Sequence, residues 1–520
     1  MLQRRDVLML GVAGLAASPR AVLAQGPTPA PVAPPAPPAF EASQVADAAR
    51  ALAARPFKPP NADLPEPFAN LSGEQYAAIQ NRASGELWAD DNLGFVVAPL
   101  HRGFVYASPM KINIVADGVA RPLAYHPEDF DLGALKPPAG LPDMGFSGFQ
   151  LLVNPPGGEP EPVAVFQGAS FYRAIARGMT FGARARGLAL KVADTKGEEI
   201  PLFREVWIER PTLAQGAIVF HALLDSDSLS GAYRFTLRAG DATIVDTECT
   251  LFARVAVDSL GVAPMTATFL AGPIDRRRSD DARPAVHDTS GLRILNGRGE
   301  WLWRPVSNRE TLQTSAFVDD NPRGFGFIQL DRDFAHYLDD ENHWENRPSL
   351  WAEPIGDWGP GAVTLIEVPS DSDVNQNMIA YWRPKEGLAA NSERSFAYRQ
   401  FWCWSPPASP PGARVAWSRG GRTPGGRTPG GGTNGKRRRF IVQFEGDIFA
   451  DEAALRGVAP NLGANPGAIV AVRKSSDAGS KSCRVQFDLD PGNEQLCELR
   501  LFLEAGGKPV SDIWLYRWTP

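Results

Sequence analysis

From Leu93 to its end this chain is dominated by short apolar runs closed by turn residues. The runs LGFVVAPL, MKINIV, GFQLLV, PVAVFQ, EVWIERP, GAIVFHALLD, GAYRFTLRA, TECTLFARVAV and MTATFLAG alternate or are rich in β-branched residues, and Gly, Pro, Asp or Asn breaks them. Side chains on a pleated strand point to opposite faces in turn, so this pattern predicts strands. Helical signals are few. Residues 43–54 carry apolar positions at helical spacing behind Ser43 as a candidate cap, and residues 72–81 form a second candidate. Many strands with so few helices predict an all-β fold of long antiparallel sheets, arranged as a sandwich.

A chain of 520 residues is too long for one simple core, so two domains are expected. After Trp404 comes SPPASPPGARVAWSRGGRTPGGRTPGGGTNG, rich in Pro and Gly and repeating G-R-T-P-G. Residues 405–437 therefore read as an exposed loop or linker. Beyond it, RFIVQFEG, AIVAVRK, CRVQFDLD, CELRLFLEA and IWLYRW predict about five strands, which fit a small immunoglobulin-like sandwich over residues 438–520. The large sandwich would then occupy residues 40–404.

The first 24 residues read as an export signal. Arg4 and Arg5 precede an apolar run to Ala17, and Val22-Leu23-Ala24 supply small residues before a cut. The adjacent arginines point to the twin-arginine route, with an ordinary basic leader as the alternative. GPTPAPVAPPAPP, within residues 25–39, is an extended Pro/Ala linker. No later segment has the apolar length to span a bilayer.

Net charge is −6, and basic residues cluster only at Lys436-Arg437-Arg438-Arg439, which reads as a solvated boundary run. This argues against a nucleic-acid partner. The histidines show no metal-ligand spacing, and the glycine-rich loop lacks the strand-to-helix setting of a phosphate cradle, so no metal or cofactor is expected. Cys249, Cys403, Cys483 and Cys497 match no metal motif and read as buried free thiols. If CRVQFDLD and CELRLFLEA form a hairpin turning at Pro491-Gly492-Asn493, Cys483 faces Leu501 rather than Cys497, which argues against a bond between the two.

Eight of the thirteen Trp lie between His287 and Trp404, among Tyr, Asp and Gly. Two readings are open. Aromatic faces beside carboxylates and amides suit a sugar-binding cleft, where rings stack on pyranose faces and polar groups hold hydroxyls. Alternatively, the Trp pack a large β core.

The strings FQGASFYRA, FGARARGLAL, EVWIERP, DSDSLSGAYRF, RPAVHDTSGL, NGRGEWLWRP, NPRGFGFIQLDRDFAHY, NRPSLWAEP, WGPGAVTLIEVP and DIWLYRW resemble the periplasmic glucan biosynthesis proteins G and D, over nearly the whole mature chain. The signal segment looks more like the D type. The resemblance implies a periplasmic protein of osmoregulated glucan biosynthesis with a large galactose-mutarotase-like β-sandwich and a small immunoglobulin-like one. It implies a β-1,2-glucan ligand, and an inner-membrane glucan synthase as a candidate partner. D-type members look like anomer-inverting hydrolases, which need one carboxylic acid and one carboxylate with room for water between them.

On this resemblance Asp288 in HDTSGL stands at the general-base position, with His287 beside it; otherwise Asp288 is a turn residue before Gly291. Gln376 stands at the general-acid position, and an amide has no proton to give and recover at neutral pH. Three readings follow: Gln376 helps bind glucan without cleavage, Asp371 or Asp373 supplies the proton, or the protein performs another reaction such as transfer. Asp373 is the better candidate for a sugar ligand. Tyr337, His343, Trp344 and Trp351 are softer candidates around ENHWENRPSLW, and Arg332 and Asp333 are expected to pair with each other or with neighbours. Glucan binding or altered processing is the expected function; an inverting endo-β-1,2-glucanase with a displaced acid is the alternative.

Overall fold

The structure, a computed structural model, describes residues 39–154, 158–276, 280–423, 437–451 and 455–520; the expected signal segment lies outside the described residues. The alternating runs form strands where their periodicity places them. GFQLLV is the strand Gly148–Val153, and the run within TECTLFARVAV belongs to a longer strand, Ala242–Ala253. The first expected helix is Ser43–Ala53, whose Ala42 cap position makes no side-chain cap bond. The second is shorter, Gly73–Ala77, and Ser72 and Gln75 close it with a reciprocal capping box.

Two large sheets carry the molecule. One runs in the order Phe95–Leu100, Gly148–Val153, Glu161–Gln167, Phe171–Ala174, Arg184–Arg186, Leu260–Ala267, Met378–Pro384, Pro360–Glu367 and Gln313–Asp320. The other is longer, and passes through Trp301–Pro305, Gly291–Leu295, Gly324–Ile328, Ser349–Ile355, Glu393–Cys403, Ala242–Ala253, Leu229–Arg238 and Ile218–Asp225. Pairing is antiparallel almost throughout. Among the described residues two ladders are parallel: Glu205–Glu209 on Lys111–Val115, and Leu302–Trp303 on Ile513–Trp514. The sheets lie face to face. Phe166 of the first meets Phe220 of the second at 4.8 Å between ring centres, and Tyr172 meets Phe235 at 5.6 Å. The Tyr172 hydroxyl donates to Gln400 Oε1 across the layer at 2.6 Å, which links the two sheets by a polar contact inside the core.

The Trp-rich stretch is mostly core. Trp303, Trp344, Trp351, Trp382 and Trp402 are each no more than 1% exposed, whereas Trp404 is 39% exposed. Large rings fill the space between two broad sheets, and burial removes the faces a sugar would need.

Two expectations about the C-terminal region are corrected. Residues 405–437, read as a loop, contain the strand Arg414–Arg422, which pairs with Arg438–Glu445; residues 424–436 are outside the described residues. CRVQFDLD and CELRLFLEA do not form a hairpin. Ser482–Asp490 joins a four-stranded sheet with Arg438–Glu445 and Ala468–Asp477, while Cys497–Ala505 pairs with Val458–Asn465 and Ile513–Trp518 in the long sheet. The connection at Pro491-Gly492-Asn493 crosses between layers because both strands bury one face against the same interior, where Phe440, Phe487, Trp514 and Tyr516 pack. All four cysteines are buried and free.

Candidate functional site

The site is built at one end of Leu260–Ala267, a strand flanked by Arg184–Arg186 and Met378–Pro384, with Thr266 opposite both Arg184 and Ile379. Beyond Thr268 the chain continues as Phe269–Ala271, which pairs with Val286–His287. This delivers Asp288 to Thr268. Asp288 Oδ1 accepts the Thr268 amide at 2.6 Å, and the Asp288 amide donates to the Thr268 carbonyl at 3.0 Å. Two residues back, the Thr266 hydroxyl donates to Gln376 Oε1, while Gln376 Nε2 donates to the Gly182 carbonyl at 3.2 Å. Asn375 and Asn377 fasten the same segment: the Thr268 hydroxyl donates to the Asn375 carbonyl at 3.1 Å, and Asn377 Oδ1 accepts the Phe269 amide at 2.9 Å.

Asp288 is 1% exposed, and its Oδ2 has no hydrogen-bond partner among the described residues. Burial pushes its carboxyl up to about 6, against the pull of the Arg347 and Arg184 charges and the Thr268 amide. A carboxyl in that range holds or releases a proton near neutral pH.

His287 is buried and neutral; burial lowers it to about 4. Its ring stacks on Phe269 at 5.4 Å and meets the edge of Tyr337 at 5.1 Å. Gln329 organises this layer. Its Nε2 donates to the His287 carbonyl (2.9 Å), the Tyr337 hydroxyl (2.9 Å) and the Trp344 carbonyl (3.2 Å). Its Oε1 is then the acceptor for His287 Nδ1 at 3.0 Å, which fixes the proton on that nitrogen. A cavity of about 200 Å³, bordered by Phe269, Ile274, His287, Ser290, Asp331 and Trp417, opens beside it.

A charged hub ties two loops to the site. Arg283 bonds Asp281 (2.7 Å), Asp339 (2.6 Å) and Asp373 (3.0 Å). Asp339 accepts the Trp344 indole N–H at 2.7 Å, and Arg347 lies over the Trp344 ring at 4.1 Å. Arg347 also packs on Gly182, where an added Cβ would stand 2.9 Å from Arg347 Cβ. Gly182 thus leaves room for the guanidinium side chain beside Gln376.

The structure therefore gathers His287, Asp288, Tyr337, Trp344, Asp373 and Gln376 around one strand end and its loops. Trp351 is not among them. It is 0% exposed, stacked on Trp301 at 5.8 Å and bonded to Glu353 at 3.0 Å. Trp344 and Tyr337 are equally buried, so they shape the site from beneath and offer no open ring face. His343 bonds Glu345 at 3.0 Å. Arg332 and Asp333 do not pair with each other: Arg332 donates to backbone carbonyls of Glu345, Arg347 and Trp404, and Asp333 caps the turn at Ala335. Thr266, Thr268, Arg184, Arg283, Gln329 and Arg347 were not singled out from sequence. Gln329 alone left a signal, a polar residue directly after the apolar strand Gly324–Ile328.

A family model described as "Periplasmic glucan biosynthesis protein, MdoG" matches residues 40–518, and the chain belongs to that family. Among its relatives, the "Glucans biosynthesis protein G" of Vibrio cholerae serotype O1 is 41% identical over 91% of this chain and 85% of its own length. The protein of the same name from Rhodopseudomonas palustris strain CGA009 is 41% identical over 100% of both chains. A solved structure titled as a galactose mutarotase related enzyme of Lactobacillus acidophilus aligns with 46% of this chain and 96% of its own at 6% identity, with a TM-score of 0.20, a likeness too weak to bear on fold or function. Among the described residues no helix is long and apolar enough to cross a membrane.

Proposed function

We propose that this protein, exported to the periplasm, binds β-1,2-linked glucan during osmoregulated glucan biosynthesis and does not hydrolyse it in the manner of an ordinary inverting glucanase. Gln376 carries the reading. Its amide is held on both sides, by the Thr266 hydroxyl and the Gly182 carbonyl, at the position where the family resemblance calls for a proton donor. A fixed amide can orient a glycosidic oxygen or hydroxyl but cannot protonate a leaving group. Asp373 is a poor substitute acid, because its carboxylate is engaged by Arg283. In this layout residues 40–404 carry the glucan-handling site, and an inner-membrane synthase delivers the polymer.

The test is incubation of the full mature chain with linear β-1,2-glucan, followed by product sizing and calorimetry. Measurable binding with unchanged chain length is the expected result. Shortened products that vanish in Asp288→Asn would establish the alternative, an inverting endo-glucanase with a displaced acid. Appearance of cleavage in Gln376→Asp would show that the acid position was assigned correctly.

A further inference from the structure

A second cavity, of about 390 Å³, lies in the same sheet and is bordered by Tyr106, Gln167, Phe171, Arg173, Arg184 and Ile200. Among the described residues its lining contains no carboxylate. Phe171 pairs with Arg186 and Tyr172 with Ala185, and this antiparallel register sets Arg173 opposite Arg184. Like charges placed opposite each other on neighbouring strands are unfavourable, and a carboxylate beside them is one solution. The same strand shows that solution two residues on, where Arg186 is paired with Glu198. Among the described residues the side chains of Arg173 and Arg184 make no hydrogen bond or ion pair, although both residues are half-buried; Arg173 rests over the Phe181 ring at 4.7 Å. The aliphatic stem of Arg347 packs on Gly182 nearby, with its guanidinium over the Trp344 ring. Burial first, then the Arg184 and Arg347 charges, lower the affinity of Arg173 for its proton.

We propose that Arg173 and Arg184 form a subsite for an oxyanion carried on the glycan, a carboxylate or phosphate ester substituent. Tyr106 and Phe171 give the sugar ring apolar surface, and the guanidinium forks give the anion paired donors. The identity of the carrier rests on the glucan reading above; the anion site does not. An anionic ligand supplies, on binding, the hydrogen-bonded counter-charge that Arg173 and Arg184 lack.

Calorimetry on the full mature chain would use three probes: inorganic phosphate, neutral linear β-1,2-glucan, and the same glucan carboxymethylated. At low salt the charged glucan should bind on the order of tenfold more tightly than the neutral one, an advantage that high salt and Arg173→Gln both erase. Equal binding of the two glucans without phosphate binding overturns the anion site and leaves glucan binding standing. Phosphate binding that Arg173→Gln removes, with neither glucan bound, supports the anion site and sinks the glucan function. No binding of any probe sinks both. An advantage that survives in Arg173→Gln and in Arg184→Gln also overturns the proposal. Thermal melts accompany each variant; relief of the facing charges should leave Arg184→Gln melting at or above the wild type.

Discussion

Asp288 and Gln376, distant in sequence, are anchored two residues apart on one strand end: Asp288 Oδ1 takes the amide of Thr268, and Gln376 Oε1 takes the hydroxyl of Thr266. Both side chains are positioned by the last residues of a central strand, so the strand's pairing with its two neighbours fixes them as a unit. The geometry makes the Thr266 hydroxyl the hinge on which the amide's orientation depends.

Thr266→Val removes that hydroxyl with little change of shape. It should cost about 1 kcal/mol in urea unfolding and weaken glucan binding severalfold, because the amide loses one of its two anchors. Unchanged affinity in calorimetry would place Gln376 outside the ligand's reach.

The Asp288 carboxyl is raised from 3.8 to about 6 in the folded protein. Its contribution to stability is therefore fully present below pH 4 and is lost as pH rises through 6. Wild type should lose up to roughly 3 kcal/mol relative to Asp288→Asn between pH 4 and pH 7, read from denaturant melts across that range. A pH-independent difference would mean the carboxyl is not held up by burial.

Arg283→Gln breaks the link among Asp281, Asp339 and Asp373. The loops around residues 339–347 and 370–376 should then exchange backbone amides faster, with a loss of about 1–3 kcal/mol in global stability. Hydrogen exchange resolved by mass spectrometry would localise the effect; a uniform change across the chain would contradict it.

Trp351 fills the core against Trp301 and Gly324. Trp351→Ala should cost about 3–5 kcal/mol while the surviving folded protein keeps its ligand affinity. A loss of affinity without loss of stability would return Trp351 to the binding surface.

Burial raises the thiols of Cys249 and Cys403 to about 12, and raises Cys483 and Cys497 as well. A thiol reagent should label none of the four in the native protein at neutral pH and all four in denaturant, and reductant should leave the melting temperature unchanged.

The sequence by itself determined the strands, because alternation of apolar and polar residues is a local property of a pleated chain, and it carried enough family-specific strings to identify Asp288 and Gln376 as the positions to watch. It could not decide which strands pair. The runs 482–490 and 497–505 are adjacent and alternating, yet they enter different sheets, since each buries its apolar face against a shared interior. Nor could it sort core Trp from ligand Trp, because Trp351 and Trp404 carry the same ring and differ only in what lies above it. The polar frame of the site was invisible for the same reason. Thr266, Gln329 and Arg283 matter through partners distant along the chain, and only the packing of the sheets brings those donors and acceptors within hydrogen-bond reach.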